Sequence, residues 1–223
     1  MKLQIKIFCA IFIALIYASL TASQAQASTF KALLVTGQNN HKWKASAPEL
    51  KKILEQTRLF DVDLATSAAE GEDMKSFSPG FAAYDVIVLD YNGDAWPAKT
   101  QKVFAEYVKS GGGVVVYHAA DNSFPEWEEF NEIIGLGGWG NRNEKSGPYV
   151  YWVDGKVVRD TSSGSGGTHG PQSAFQVINR DVSHPITNGL PEKWMHAKDE
   201  LYSKLRGPAK NMTVLATAYS DPN

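Results

Sequence analysis

The chain has five histidines: His41, His118, His169, His184 and His196. None forms an H-x-x-x-H or H-E-x-x-H pair, so local spacing supplies no metal motif. Each lies in a loop-like stretch or at the end of an apolar run. His118 closes the stretch "GGGVVVYH", residues 111–118. An ionisable ring at the end of such a run fits a buried strand that surfaces into a crevice. Open α/β sheets place ligands there, beyond the carboxyl ends of their strands. His118 is therefore a candidate acid/base group, with Asp121 a candidate polar neighbour and substrate contact. A satisfied, half-buried histidine would leave the same trace.

Two further stretches hold chemistry. "GQNNHKW", residues 37–43, follows another apolar run and offers Asn39, His41 and the aromatic face of Trp43. Planar hydrogen-bonding groups beside an aromatic platform suit a sugar, although an ordinary polar loop reads the same way. "SHPITNGLPEKWMHAKDELYSKL", residues 183–205, carries His184, His196, Asp199, Glu200 and Tyr202. It is too polar to be mostly core. Its carboxylates suit a general base or a metal ligand, against the plainer reading of a solvated surface helix. Trp127 and Tyr202 are further candidates for binding substrate. Ser123 has no G-x-S-x-G elbow around it, which argues against a serine hydrolase.

The elements that must position these residues can be read from periodicity. "KALLVTG", "DVDLAT", "YDVIVLDYNG" and "VVVYH" read as strands. "SAPELKKILEQT", with Ser46 as N-cap, and "PAKTQKVFAEYVK", which runs into Gly111, read as helices between them. Continuous apolar strands alternating with helices predict an open, mostly parallel α/β sheet with helices on both faces, flavodoxin-like. "EWEEFNEIIG" reads as a further helix whose inner face carries Trp127 and Phe130, and "FQVINRD" and "MTVLATAYSD" as later strands.

Lys2 and Lys6, an apolar run over residues 7–16 and Ala25-Gln26-Ala27 read as a signal peptide, residues 1–27. The run is short for a membrane span, so no stable span is expected after processing, and the protein is expected to be periplasmic or secreted. Cys9 is the only cysteine and lies in that segment, so residues 28–223 offer no disulfide and no thiolate. Of 22 Lys and Arg, 20 remain against 24 Asp and Glu, a net charge of −4 (20 − 24), which does not favour nucleic acid.

In their order, Gly111 to His118, Trp127 to Gly138, Thr168-His169, "HPITNGLP" (residues 184–191) and "DELY" (residues 199–202) resemble the ThuA-like (trehalose utilisation) family. The resemblance spans nearly all of residues 28–223. It implies a class I glutamine amidotransferase-like fold. In true amidotransferases the turn after the equivalent strand carries a cysteine nucleophile; here it reads Tyr117-His118-Ala119-Ala120, so thioester chemistry is excluded. It also implies sugar catabolism, particularly of oxidised (3-keto) glycosides, and a divalent metal, zinc or similar, at a histidine cluster of His118, His169 and His184. The family's relatives continue through another strand and a "GH" segment, so the domain is expected to be short at its C-terminus. The resulting expectation is an exported enzyme for a carbohydrate or keto-sugar, with His118, His169, Asp199 and Glu200 catalytic. The alternative is a non-catalytic carbohydrate-binding domain.

Export makes a direct prediction. Protein recovered from the periplasm or medium should begin at Ser28. An intact mass that retains residues 1–27 would instead mean an N-terminal anchor.

Overall fold

The computed structural model describes residues 29–219; the expected signal peptide lies outside the described residues. Strand β1 (Phe30–Thr36) pairs in parallel with β2 (Phe60–Thr66) on one side and β3 (Val86–Leu89) on the other. Strand β4 (Gly113–Val116) adds in parallel to β3, giving the order β2-β1-β3-β4. Helix α1 (Trp43–Gln56) connects β1 to β2, and α2 (Ala98–Lys109) connects β3 to β4.

The apolar runs follow from burial on both faces. Alternate residues of β1 point to opposite sides of the sheet. Ala32 and Leu34 pack with Val62, Val88 and Ala47, and with Leu50 and Leu54 of α1. Leu33 and Val35 pack on the other face with Ile87, Leu89, Phe81, Trp96 and Phe104. Helix α3 (Glu128–Ile134) joins that second layer through Phe130, which is fully buried. The open, parallel, two-faced sheet expected from sequence is the one observed.

The start of α1 differs from expectation. Ser46 does not cap it. The first turn closes upstream, where the amides of Ala45 and Ser46 both donate to the carbonyl of Lys42, and Pro48 sits inside the helix. The Ser46 hydroxyl is thereby free to donate to Asp90 Oδ2 at 2.7 Å.

The second half forms three small antiparallel sheets. Strands β5 (Tyr149–Val153) and β6 (Lys156–Asp160) make a hairpin whose turn, Asp154-Gly155, has φ of 49° and 77°. Two positive φ values in a two-residue turn are what an Asp-Gly pair accommodates. Strands β7 (Thr168–His169) and β10 (Tyr202–Ser203) pair over two residues each, with Tyr202 opposite His169. Strands β8 (Ser173–Asn179), β9 (Lys193–Asp199) and β11 (Ala216–Tyr219) form a sheet in the order β11-β8-β9. Residues 183–205 therefore hold a turn and two strands, and the surface-helix reading of that stretch does not apply.

One side chain ties the halves together. Arg142 is 3% exposed and donates to the carbonyls of Asn122, Ser123 and Gly138 and to Asn131 Oδ1, at 2.7–3.1 Å. It fastens the turn after β4 to the loop after α3. Arg142→Met should leave those buried acceptors unpaired and cost about 2–4 kcal/mol. Thermal unfolding measures it; a melting temperature equal to that of the wild type would mean the acceptors find other donors.

Candidate functional site

The site lies at the carboxyl end of the parallel sheet. β4 ends at Val116, and the chain turns into a short 3₁₀ turn over His118–Asn122. His118 has φ of 45°, a left-handed conformation unusual for a residue with a Cβ. Strain of this kind persists where the surroundings fix it, and it aims the imidazole out of the sheet. The loop after β1 delivers His41, whose ring centroid lies 4.6 Å from that of His118. The β7–β10 pairing delivers the rest. Tyr202 stacks on His118 at 4.4 Å and 27°.

The Tyr202 hydroxyl lies 3.2 Å from His118 Nε2 and 3.4 Å from His41 Nε2. One hydroxyl thus faces two imidazole nitrogens. It has one proton to donate, so at most one of the two rings can accept from it, and the roles at the two nitrogens follow from the histidine tautomers. Glu200 Oε2 lies 3.8 Å from His118 Nε2 and 4.0 Å from His169 Nε2. Trp139 closes the group, edge-on to Tyr202 at 4.7 Å.

Charge states follow from burial. The His118 pKa is lowered by burial and by neighbouring His41, against Asp199 and Glu200, which raise it. The ring is therefore neutral at neutral pH and able to accept a proton. Tyr202 is pushed up to about 12, chiefly by burial and then by the charge of Asp121, so it remains a donor. Asp90, 2% exposed, accepts from Asn39 at 3.0 Å as well as from Ser46. Burial raises its pKa; those hydrogen bonds, His41 and His118 oppose the rise.

Two cavities flank this cluster. The first, about 540 Å³, is bounded by Asn39, Asp90, His118, Phe175, His196 and Asp199 among others. The second, about 530 Å³, is bounded by Asn92, Asn122, Trp139, His169 and Tyr202 among others. His41 and Glu200 border both.

The structure thus brings together His118, His169, Glu200, Tyr202 and His41, with Asn39 and Asp199 on the wall of the first cavity. Other expected residues lie elsewhere. His184 borders neither cavity; its Nδ1 accepts the Ile186 amide within a turn. Trp127 is 8% exposed and packs against Phe124 and Phe130, because the inner face of α3 is core. Trp43 begins α1 and borders neither cavity. Asp121 lies within the turn and borders neither cavity; its Oδ1 is buried without a hydrogen-bond partner among the described residues. Trp139, Asp90 and Arg142 belong to the site or its support and were not singled out from sequence as site residues. Only a tryptophan inside a glycine-rich loop hinted at the first.

Of the expected metal cluster of His118, His169 and His184, only His118 has a ligand atom in the close-set group that the described residues form; His169 is not in it. Among the described residues, the group with ligand atoms close enough to share a cation is His41, His118 and Glu200, all within 4.8 Å of one another. His184 is not in it. Two imidazoles and a carboxylate suit zinc or a similar ion. Ligand atoms around a tetrahedral zinc lie about 3.3–3.5 Å apart. The two imidazoles and the carboxylate would have to draw closer than they stand here to hold such an ion.

Asp121 has a consequence for stability. Burial pushes its pKa from 3.8 up to about 7, against the lowering influence of Arg142. Between those values the folded protein holds a proton that the unfolded chain has released. The resulting stability is complete below about pH 4 and is lost as pH rises through about 7. Asp121→Asn should match the wild type at about pH 4 and melt higher above about pH 8. Melting temperatures of both proteins measured across that range would show it; identical pH profiles would mean the carboxyl is hydrated.

No curated protein sequence matches the chain. The crystal structure of a ThuA-like protein from Parabacteroides merdae is 56% identical, with a TM-score of 0.85 over 87% of this chain and 70% of that one. The crystal structure of a ThuA-like protein from Bacteroides uniformis, 23% identical with a TM-score of 0.58 over 88% of this chain and 70% of that one, shares the fold. The family model ThuA, described as trehalose utilisation, matches residues 31–222. With its parallel sheet and histidine-bearing edge, the chain belongs to the ThuA family.

Proposed function

We propose that the chain is an exported enzyme of sugar catabolism that acts on an oxidised (3-keto) glycoside by acid/base chemistry. The observation that carries this reading is the Tyr202 hydroxyl shared between His118 Nε2 and His41 Nε2. A carbon beside a ketone bears an acidic proton. His118, neutral through burial, accepts that proton at Nε2 once Tyr202 turns its own proton away from it. The C–H electron pair becomes a carbon–carbon double bond as the carbonyl π pair moves onto the keto oxygen, giving an enediolate. Tyr202, protonated at neutral pH, donates a hydrogen bond to that oxygen. The ketone then re-forms as carbon takes a proton back from His118, or the enediolate expels the substituent on the next carbon, which leaves with the proton His118 holds.

The other groups support this step. Glu200, close to both His118 and His169, holds charge opposite either ring when that ring is protonated. A divalent cation held by His41, His118 and Glu200 would supply Lewis acidity at the same place. The lack of a cysteine outside residues 1–27 removes the thioester route.

Turnover of methyl 3-keto-glucoside tests the proposal. His118→Asn keeps a residue type that tolerates a left-handed backbone. It should reduce kcat by about 10²–10⁴-fold, the usual worth of an acid/base group, while shifting stability by less than about 1 kcal/mol. Tyr202→Phe should reduce kcat more than it raises KM, since its hydroxyl acts mainly on the enediolate. Saturable binding of the glycoside with no turnover by the wild type would instead support a carbohydrate-binding domain.

A further inference from the structure

Three places in the chain put a side-chain carbonyl one residue before a glycine: Asn92-Gly93, Asp154-Gly155 and Asn188-Gly189. Such a pair can react with itself. The glycine amide nitrogen attacks the side-chain Cγ, and no Cβ on the glycine stands in its way. The fold treats the three pairs differently.

Asn188 and Gly189 are both exposed, in the turn between β8 and β9. Among the described residues, neither the Asn188 side chain nor the Gly189 amide makes a hydrogen bond. A Cβ on Gly189 would meet nothing within 4 Å, so the turn has open space in which to bend. The turn also demands that glycine. Gly189 has φ of 85°, and across it the Leu190 amide donates to the Thr187 carbonyl at 3.0 Å. Glycine takes the third position of such a turn at no steric cost. The backbone thereby fixes the reactive neighbour of Asn188.

Asn92 is held. Its amide donates to the Gln38 carbonyl at 3.0 Å, and its Nδ2 donates to Asn40 Oδ1 at 2.9 Å. The Asp94 amide donates to Gln38 Oε1 at 2.7 Å. A Cβ on Gly93 would lie 2.2 Å from the same Gln38 side chain, so the glycine is pressed against it. Bringing the Gly93 nitrogen to the Asn92 Cγ means breaking these contacts. Asp154 is exposed in its hairpin turn, but its carboxylate is ionised at neutral pH and a far poorer electrophile than an amide.

We propose that Asn188 is a site of spontaneous deamidation, a modification independent of the acid/base cluster. The Gly189 nitrogen forms a bond to Asn188 Cγ and gives up its proton. The Cγ–Nδ2 bond breaks, and Nδ2 leaves as ammonia. Water then opens the resulting succinimide. Cleavage between the nitrogen and Cγ gives aspartate. Cleavage between the nitrogen and the main-chain carbonyl carbon gives isoaspartate, with the chain running through Cγ. Either product adds a negative charge to a turn that already holds the Asp181 carboxylate. Isoaspartate also lengthens the main chain close to the first bond between β8 and β9, from the Asn179 amide to the Glu192 carbonyl.

The test follows the purified protein at mildly alkaline pH, which favours loss of the amide proton. Proteolytic peptides are resolved by chromatography and mass spectrometry, with aspartate and isoaspartate forms quantified separately. In the folded protein Asn188 should convert about tenfold faster than Asn92, the factor that the hydrogen bonds on Asn92 supply. Both products should form. In denaturant the two rates should converge, because both are Asn-Gly pairs and only the fold separates them. Asn188→Gln, whose longer side chain closes a ring far more slowly, should abolish the modification at this turn. Conversion of Asn92 as fast as Asn188 in the folded protein, or a difference that survives unfolding, would overturn the proposal. So would aspartate without isoaspartate, or an intact Asn188 in folded protein under conditions that convert the unfolded chain.

Discussion

The guanidinium of Arg142 is the constraint on which the site depends. A buried cation must be surrounded by acceptors, because an unpaired one is far too costly to keep out of water. Arg142 takes its acceptors from three places: the turn that follows His118, Asn131 of α3 and the loop that precedes Trp139. The acid/base residue and the aromatic wall thus share one anchor. Arg206, fully buried, does the same for the neighbouring loops. It stacks on Tyr149 at 3.5 Å, donates to the carbonyls of Gly147 and Ser162, and pairs its backbone with Gly137. The irregular second half is held by two cations bonded to carbonyls where a regular element would use its own ladder.

The parallel sheet was legible because burial on both faces leaves a simple trace. Residues 32–35 of β1 and all of β3 must be apolar, and they are. His118 was legible for the related reason that an ionisable residue ending such a strand has to surface. The loop bearing Asn39 and His41 could be noticed from composition, but nothing local says that His41 faces His118. That contact, and the one from Tyr202 across 161 positions to His41, exist only after folding.

The second half was legible in motifs and not in structure. "DELY" contains Glu200 and Tyr202, which the fold brings beside His118, yet its four residues span the end of β9, a two-residue link and the start of β10. The pairing of β7 and β10 is too short to show period-two alternation. The Asp154-Gly155 turn was a readable hairpin signal between alternating residues and is the clearest element passed over. His184 belongs to a motif of the sequence and stands outside the cluster. Its stretch is a tight turn organised by Asp181, which accepts from Ser183 and the His184 amide. A local turn with that many internal bonds accounts for a histidine there without any ligand.

Tyr202 and His169 reach the site on a ladder of two residues per strand. The central sheet carries seven registered pairs between β1 and β2 alone, with core packed on both faces. Proteins open locally, and a short, exposed ladder opens at far lower free energy than a buried sheet. The protein therefore has two separable thresholds. Backbone amides of β7 and β10 should exchange with solvent before those of β1 and β3, so that Tyr202 and His169 can leave His118 while the sheet is still folded.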